Sequence, residues 1–116
     1  MRRSLPILVA ATAAFATLVA PASTATTTTR SIKVGDNYFV REGSSPTISV
    51  SKSTRVKWLW RGDAPHNVKV SRGPVKFSSR TMTTGSYTKA MTRTGTYKIY
   101  CSVHGSSDQG MTLRVR

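Results

Sequence analysis

Short runs of alternating apolar and polar residues dominate the chain from Ser31 onward. Gly, Pro, Ser and Asn separate these runs, at a spacing typical of strands joined by turns. Seven runs are rich in Val, Ile, Thr, Tyr and Trp: Ser31–Val34, Thr47–Val50, Val56–Trp60, Asn67–Val70, Ser86–Lys89, Thr96–Cys101 and Met111–Val115. No stretch has the apolar stripe of a clear amphipathic helix. The pattern predicts an all-β sandwich or barrel of about seven to eight strands.

The alternation also predicts which side chains face the core. Val56, Trp58 and Trp60 share one face of their run, and the basic residues Lys57 and Arg61 lie on the other. The same parity gives three further inward sets: His66 with Val68 and Val70, Cys101 with Tyr97 and Ile99, and Met111 with Leu113 and Val115. An imidazole, a thiol and a thioether are therefore expected at the ends of three inward faces.

The first 25 residues differ in composition from the rest. Two arginines, Arg2 and Arg3, precede an uncharged apolar stretch from Leu5 to Ala20, and small residues follow it. This order predicts a secretory signal peptide that is cleaved after Ala22 or Ala25. A retained membrane anchor is the alternative, but the stretch is short for a span of about 20 residues.

Cleavage would leave a Thr-rich lead-in at residues 26–31 and one domain over residues 32–116. We expect a monomer exported to the periplasm or cell envelope, with no membrane span. The net charge falls from +14 to +12, because both lost charges are arginines. Such a surplus of positive charge favours redox partners with acidic docking surfaces, or association with an anionic envelope.

Charge and spacing disfavour two other function classes. The four carboxylates, Asp36, Glu42, Asp63 and Asp108, show no paired spacing that would support hydrolysis, so we do not expect an enzyme. Lys and Arg alternate along outward strand faces and do not interleave with exposed aromatic residues. We therefore expect no nucleic-acid partner.

Cys101 is the single cysteine of the chain, and exported proteins normally pair their cysteines. It can be a buried inert residue, an intermolecular bridge, a nucleophile or a metal ligand. Together with His66, with Met111 and with His104 three residues further on, it forms the donor set of a trigonal copper site with a weak axial sulfur. A nucleophile is disfavoured, because the sequence offers no positioned third group.

Two stretches carry a family resemblance: V-K-W-L-W-R-G-D-A-P-H-N-V at residues 56–68, and G-T-Y-K-I-Y-C-S-V-H-G at residues 95–105 with Gly110 and Met111 beyond it. They resemble the cupredoxin family, in particular plastocyanin-like and amicyanin-like blue copper proteins. The resemblance covers about Ile32 to Val115 and implies a Greek-key β-sandwich. It also implies one copper ion, Cu(I) or Cu(II), bound by His66, Cys101, His104 and Met111.

The resemblance further implies that Asn67 and Ser102 hydrogen-bond the two ligand loops together and tune the thiolate. It implies one-electron transfer through His104, within an apolar docking patch that includes Pro65, Ala64 and Gly105. An exported copper carrier or store without an electron-shuttle role needs the same ligands, and it stays as the alternative.

The spacing between His104 and the axial ligand departs from the family pattern. Six residues separate His104 from Met111, where plastocyanin-like proteins usually have four or fewer, and Gln109 stands at the shorter spacing. Glutamine is a known axial alternative. Met111 is favoured, because it shares parity with the last strand and follows a glycine.

Overall fold

A computed structural model describes residues 12–14 and 27–116 of the chain. Apart from residues 12–14, the predicted signal peptide at residues 1–25 lies outside the described residues. The first strand begins at Thr29, so residues 29–31, assigned from the sequence to the lead-in, are part of the sandwich. In the described part of the chain, no helix has the length and apolarity needed to cross a membrane.

Eight strands make up the described fold: β1 Thr29–Gly35, β2 Tyr38–Phe39, β3 Thr47–Val50, β4 Arg55–Trp60, β5 Lys69–Arg72, β6 Ser86–Ala90, β7 Gly95–Tyr100 and β8 Gly110–Val115. The all-β prediction is confirmed. The seven predicted runs correspond to β1 and to β3 through β8. The sequence missed β2, because two residues are too few to show an alternation.

The strands form two four-stranded sheets, ordered β2-β1-β4-β6 and β3-β8-β7-β5. Each sheet contains one parallel pair, β1 with β4 and β3 with β8, and the other neighbours are antiparallel. The ends of β1, β4 and β7 therefore meet at the same end of the sandwich as the start of β8. The loops at this end carry three of the four predicted donors, His66, Cys101 and His104, whereas the thioether of Met111 lies inside β8.

The predicted inward faces are confirmed as the core between the sheets. Val56, Trp58 and Trp60 are buried, as are the inward residues of β7 and β8. Trp58 packs against Phe77, with ring centroids 5.9 Å apart. Trp60 donates its indole N–H to the carbonyl oxygen of His66 at 3.0 Å, so a core residue also anchors the loop that follows β4.

The fifth strand begins two residues later than predicted, at Lys69 instead of Asn67. His66 forms an isolated bridge with Met82, with backbone hydrogen bonds of 2.9 Å in both directions. The backbone N–H of Asn67 points to the Cys101 sulfur, and that of Val68 to the Ser79 hydroxyl. Asn67 and Val68 therefore donate their backbone N–H groups to side chains, whereas the carbonyl oxygen of Val68 accepts from the backbone N–H of Ser79 at 2.9 Å.

Candidate metal centre

Three of the predicted ligands come together at one end of the sandwich. The ligand atoms of His66, Cys101 and His104 all lie within 4.8 Å of one another. The two imidazole rings have centroids 4.8 Å apart and planes inclined at 46°. His66 and Cys101 are completely buried, whereas His104 is partly exposed. The cluster thus has two interior donors and one donor that reaches the surface.

One buried nitrogen of each imidazole in this cluster is not used by another group. Nδ1 of His66 and Nε2 of His104 are buried without a hydrogen-bond partner. Cys101 is a free buried thiol, and its sulfur accepts a long hydrogen bond of 3.5 Å from the backbone N–H of Asn67. Unpartnered buried polar atoms are unfavourable unless something binds them. Two nitrogens and a sulfur together fit copper, which takes imidazole and thiolate ligands.

Asn67 and Ser102 connect the two loops that carry these ligands. The Asn67 amide donates to the Ser102 hydroxyl at 2.8 Å, and the Ser102 backbone N–H donates to the Asn67 amide oxygen at 2.9 Å. The same amide donates to the Thr81 hydroxyl at 3.0 Å, a partner that the sequence did not reveal. Since both residues directly follow a ligand, these bonds fix the position of Cys101 relative to His66.

The loop from Cys101 to Gln109 is closed by its own backbone. The N–H of Gly105 donates to the Cys101 carbonyl at 2.9 Å, and the N–H of Gln109 donates to the Gly105 carbonyl at 3.0 Å. Gly105 has a φ of 86°, a conformation that glycine adopts without steric cost. The turn brings His104 back over the end of β7, where Cys101 lies.

The register of β7 and β8 separates the two candidates for an axial ligand. Met111 pairs with Ile99 and belongs to the hydrophobic core. Gln109 lies across from Cys101, whose backbone N–H donates to its carbonyl at 3.0 Å. Gln109 is therefore two residue pairs closer to the ligand loop than Met111 is.

The Gln109 side chain is completely buried, and its amide has a fixed orientation. The amide nitrogen donates to the carbonyl oxygens of Gly35 at 3.1 Å and Tyr38 at 2.9 Å. The amide oxygen has no hydrogen-bond partner. With the nitrogen committed to the β1–β2 turn, the free donor atom of Gln109 is the oxygen.

Asp36 is a site residue that sequence analysis did not identify. It follows β1, and its carboxylate accepts a hydrogen bond from Nε2 of His66 at 2.9 Å. The backbone N–H groups of Asp63 and Ala64 donate to the same carboxylate at 2.9 to 3.1 Å. The hydrogen bond from His66, followed by those from Ala64 and Asp63, lowers the pKa of Asp36 from 3.8 to about 2. The carboxylate is therefore ionised and can only accept, so Nε2 of His66 carries the proton.

Gly62 makes room for this carboxylate. A Cβ at position 62 would lie 2.2 Å from Oδ1 of Asp36, which is far inside van der Waals contact. The signal for Asp36 was thus present in the sequence as an Asp after one strand and a Gly after another. It could be interpreted only once β1 and β4 were known to be parallel neighbours.

Val103 and Gly105, the two chain neighbours of His104, are both accessible to solvent. Val103 is 48% exposed and is the large hydrophobic residue that the described part of the chain leaves most open to solvent. Pro65 is exposed, and Ala64 and Gly105 are partly exposed, as expected for members of an apolar patch. Val103 was not among the residues predicted for this patch.

Comparison with known proteins was made at the level of sequence and of structure. A family model for copper binding proteins of the plastocyanin/azurin family matches residues 29–116. This range contains all eight strands and every residue of the cluster. No curated protein sequence matches the chain.

Solved structures of amicyanin are similar to this chain. A methionine-to-glutamine mutant of amicyanin in the Cu(I) form has a TM-score of 0.63 and 22% identity, covering 76% of this chain and 82% of the other. A second, reduced amicyanin mutant has a TM-score of 0.63 and 20% identity over the same shares. A copper-containing nitrite reductase from Thermus scotoductus SA-01 has a TM-score of 0.60 and 18% identity, and the match covers 74% of this chain but 22% of that protein. At these identities the structural matches establish the fold.

Proposed function

Since the chain belongs to the plastocyanin/azurin family of copper-binding proteins, we propose that it carries single electrons between redox partners. The observation that carries the proposal is the buried group of three donors, His66, Cys101 and His104, whose ligand atoms lie within 4.8 Å of one another. Copper supplies the chemistry when bound, because it alternates between Cu(I) and Cu(II). No bond of a substrate is made or broken, so the chain has no enzymatic role in this proposal.

The residues of the centre favour a rigid ligand set. The reciprocal Asn67–Ser102 hydrogen bonds, the Asp36–His66 contact and the Trp60–His66 contact each restrain one ligand. Electron transfer is fast when the ligands rearrange little between the two oxidation states. These contacts support such a role, since the proposed ligands are restrained by the protein itself.

We further propose that Gln109 is the weak axial ligand, in place of Met111. Support comes from its position opposite Cys101 and from its buried amide oxygen, which has no other partner. The carbonyls of Gly35 and Tyr38 hold the amide nitrogen and so determine which atom is free. Met111, paired with Ile99, fills the core.

His104 is the proposed route for the electron, because it is the one ligand of the three that is partly exposed. Its neighbour Val103 and the exposed Pro65 supply apolar surface for a brief encounter with a partner. The proposed site of action is outside the cytoplasm, in the periplasm or cell envelope, after removal of residues 1–25. An unpaired thiol is stable there when it is buried and bound to a metal.

A copper carrier or store is the competing role for the same ligands. Such a protein must release its ion to an acceptor, which requires access to the ligands. Complete burial of His66 and Cys101 works against ready exchange and favours the electron carrier.

The test is the visible spectrum of the protein loaded with Cu(II). Thiolate coordination predicts an intense blue charge-transfer band that disappears in Cys101→Ser. The matched control is Ser102→Ala, which changes a neighbouring side chain but leaves the sulfur, so the band should remain. A protein that binds copper fully but stays colourless would contradict the proposal. Fast electron self-exchange would separate the electron carrier from the copper carrier.

A further inference from the structure

The end of the sandwich opposite the metal centre carries a cluster of exposed cations. We name it the basal cluster, and its members are Arg30, Lys52, Arg55, Arg93, Arg114 and Arg116. Backbone hydrogen bonds connect the segments that supply it. The N–H of Lys52 donates to the carbonyl of Arg116 at 2.7 Å, and the N–H of Arg55 donates to that of Thr28 at 2.9 Å. The cluster is therefore one surface made of the start of β1, the end of β8 and two turns.

No carboxylate side chain of the sequence lies at this end. Asp36 and Asp63 lie beside His66, and Asp108 lies in the ligand loop. Glu42 belongs to the β2–β3 connection, whose Gly43 lines a cavity together with Asp108. All four acids of the sequence thus lie toward the metal end, and no Asp or Glu side chain lies beside the basal cluster. The net charge of the domain is thus distributed unevenly along its long axis.

The position of the basal cluster argues against a redox partner as its ligand. Strands of six residues separate it from the metal centre, which is roughly 20 Å at 3.3 Å per residue. An acidic protein attracted to these cations would dock at the end away from His104. Nucleic acid is also disfavoured, because the cluster contains no exposed aromatic side chain on which a base could stack.

The chain itself enters the domain at this end. β1 begins at Thr29, next to Arg55, and eight residues connect it to the apolar stretch that ends at Ala20. A segment of that composition lies in or near a membrane during export, before residues 1–25 are removed. The basal cluster is therefore the part of the domain that export brings closest to the membrane.

We propose that the basal cluster binds the surface of an anionic lipid membrane. Juxtamembrane Lys and Arg residues are attracted to anionic headgroups, at about 1 kcal/mol or roughly fivefold in affinity per residue. In this orientation the metal end points away from the bilayer, and His104 stays accessible to a soluble partner. Surface binding of this kind is weakened by salt, because the charges on both sides remain hydrated.

The experiment measures binding of residues 26–116 to vesicles by co-sedimentation. All strands and core residues that the structure describes lie in this range, so it folds without the apolar stretch. The metal-free protein is used, and the result is thus independent of whether the copper proposal holds. Binding is expected to phosphatidylcholine vesicles that contain phosphatidylserine, and not to phosphatidylcholine alone. It should be lost when the salt concentration is raised.

Two triple variants with the same net charge distinguish binding through the basal cluster from general electrostatic attraction between a basic protein and an anionic membrane. The first changes Lys52, Arg55 and Arg116 to Gln, and the second changes Arg41, Arg61 and Arg80 to Gln at the metal end; all six side chains are exposed. The first should weaken binding at least about tenfold, and the second much less. Equal weakening by both triples would overturn the proposal, as would failure of the parent protein to bind phosphatidylserine vesicles.

Discussion

The imidazole of His66 and the carboxylate of Asp36 are 2.9 Å apart, although 30 residues separate them in the chain. Because the ionised carboxylate accepts a hydrogen bond from the N–H at Nε2, the other ring nitrogen, Nδ1, is left with its lone pair free. Nδ1 is the buried nitrogen of His66 that has no hydrogen-bond partner. The contact therefore determines which nitrogen of His66 can bind copper before the metal arrives.

Asp36→Asn should raise the reduction potential of the copper protein. Asparagine keeps the shape of the side chain but removes a negative charge that favours Cu(II) over Cu(I), and the expected shift is on the order of tens of millivolts. Asp36→Ala, which leaves Nε2 without its acceptor, should lower copper affinity by about tenfold or more. Voltammetry and competition with a copper chelator measure the two effects.

Asp63→Asn is the matched control for this prediction. Asp63 contacts Asp36 through its backbone N–H, and its own side chain is exposed. Its replacement removes the same charge from the neighbouring loop after β4 without touching His66. An equal rise in potential for both variants would mean that only net charge matters, and it would contradict a specific role for Asp36.

Asp36 should also make the metal-free protein sensitive to acid. Its pKa is lowered from 3.8 to about 2 in the folded state. The ionised carboxylate therefore contributes fully to the free energy of unfolding above about pH 4. This contribution is lost as the pH falls from about 4 to 2, because the unfolded chain then takes up the proton first. Urea denaturation should show that the wild type has a higher free energy of unfolding than Asp36→Asn at about pH 4, and that this difference decreases as the pH falls to about 2. A constant difference would contradict the assignment.

Gln109 and Met111 should differ in their effects on potential. Replacing an oxygen donor by a thioether favours Cu(I), so Gln109→Met should raise the potential by at least about 59 mV, a tenfold change in the balance of oxidation states. Met111→Leu conserves core volume and should cost less than about 1.5 kcal/mol of stability, with the potential almost unchanged. The reverse pattern, a shift in Met111→Leu alone, would identify Met111 as the axial ligand.

Asn67→Ala should disturb the centre more than Ser102→Ala does. The first change removes both hydrogen bonds to Ser102 and the one to Thr81, whereas the second removes only the bond to the Ser102 hydroxyl. Loss of buried hydrogen bonds by Asn67→Ala is expected to cost about 1–3 kcal/mol of unfolding free energy. Thermal denaturation compares the stability of the two variants, and the rate of copper loss to a chelator compares how firmly they hold the metal. Equal effects would mean that the loops are held together by other contacts.

The strand pattern could be predicted because it is a local property. Alternation with a period of two places Trp58 and Tyr97 inside the sandwich whichever strands they pair with. The same local rule identified His66 and Cys101 as inward residues at strand ends, and both are completely buried. His104 followed from its proximity to Cys101 along the chain.

The axial position could not be derived from parity, because Gln109 and Met111 are two residues apart and share the same face. Only the pairing of β7 with β8 distinguishes them, by placing Gln109 opposite Cys101 and Met111 opposite Ile99. The carbonyls that hold the Gln109 amide come from the β1–β2 turn, more than 70 residues earlier in the chain.

The sequence by itself determined the all-β fold, the inward faces and the three side chains of the candidate metal centre, because each depends on residues close together in the chain. Tertiary structure alone decided that Asp36 meets His66 and that Gln109 lies beside Cys101. It also gathered six cations at the end opposite His104. These relationships depend on which strands are neighbours and in which direction they run, and strand pairing is set by the packing of the whole core.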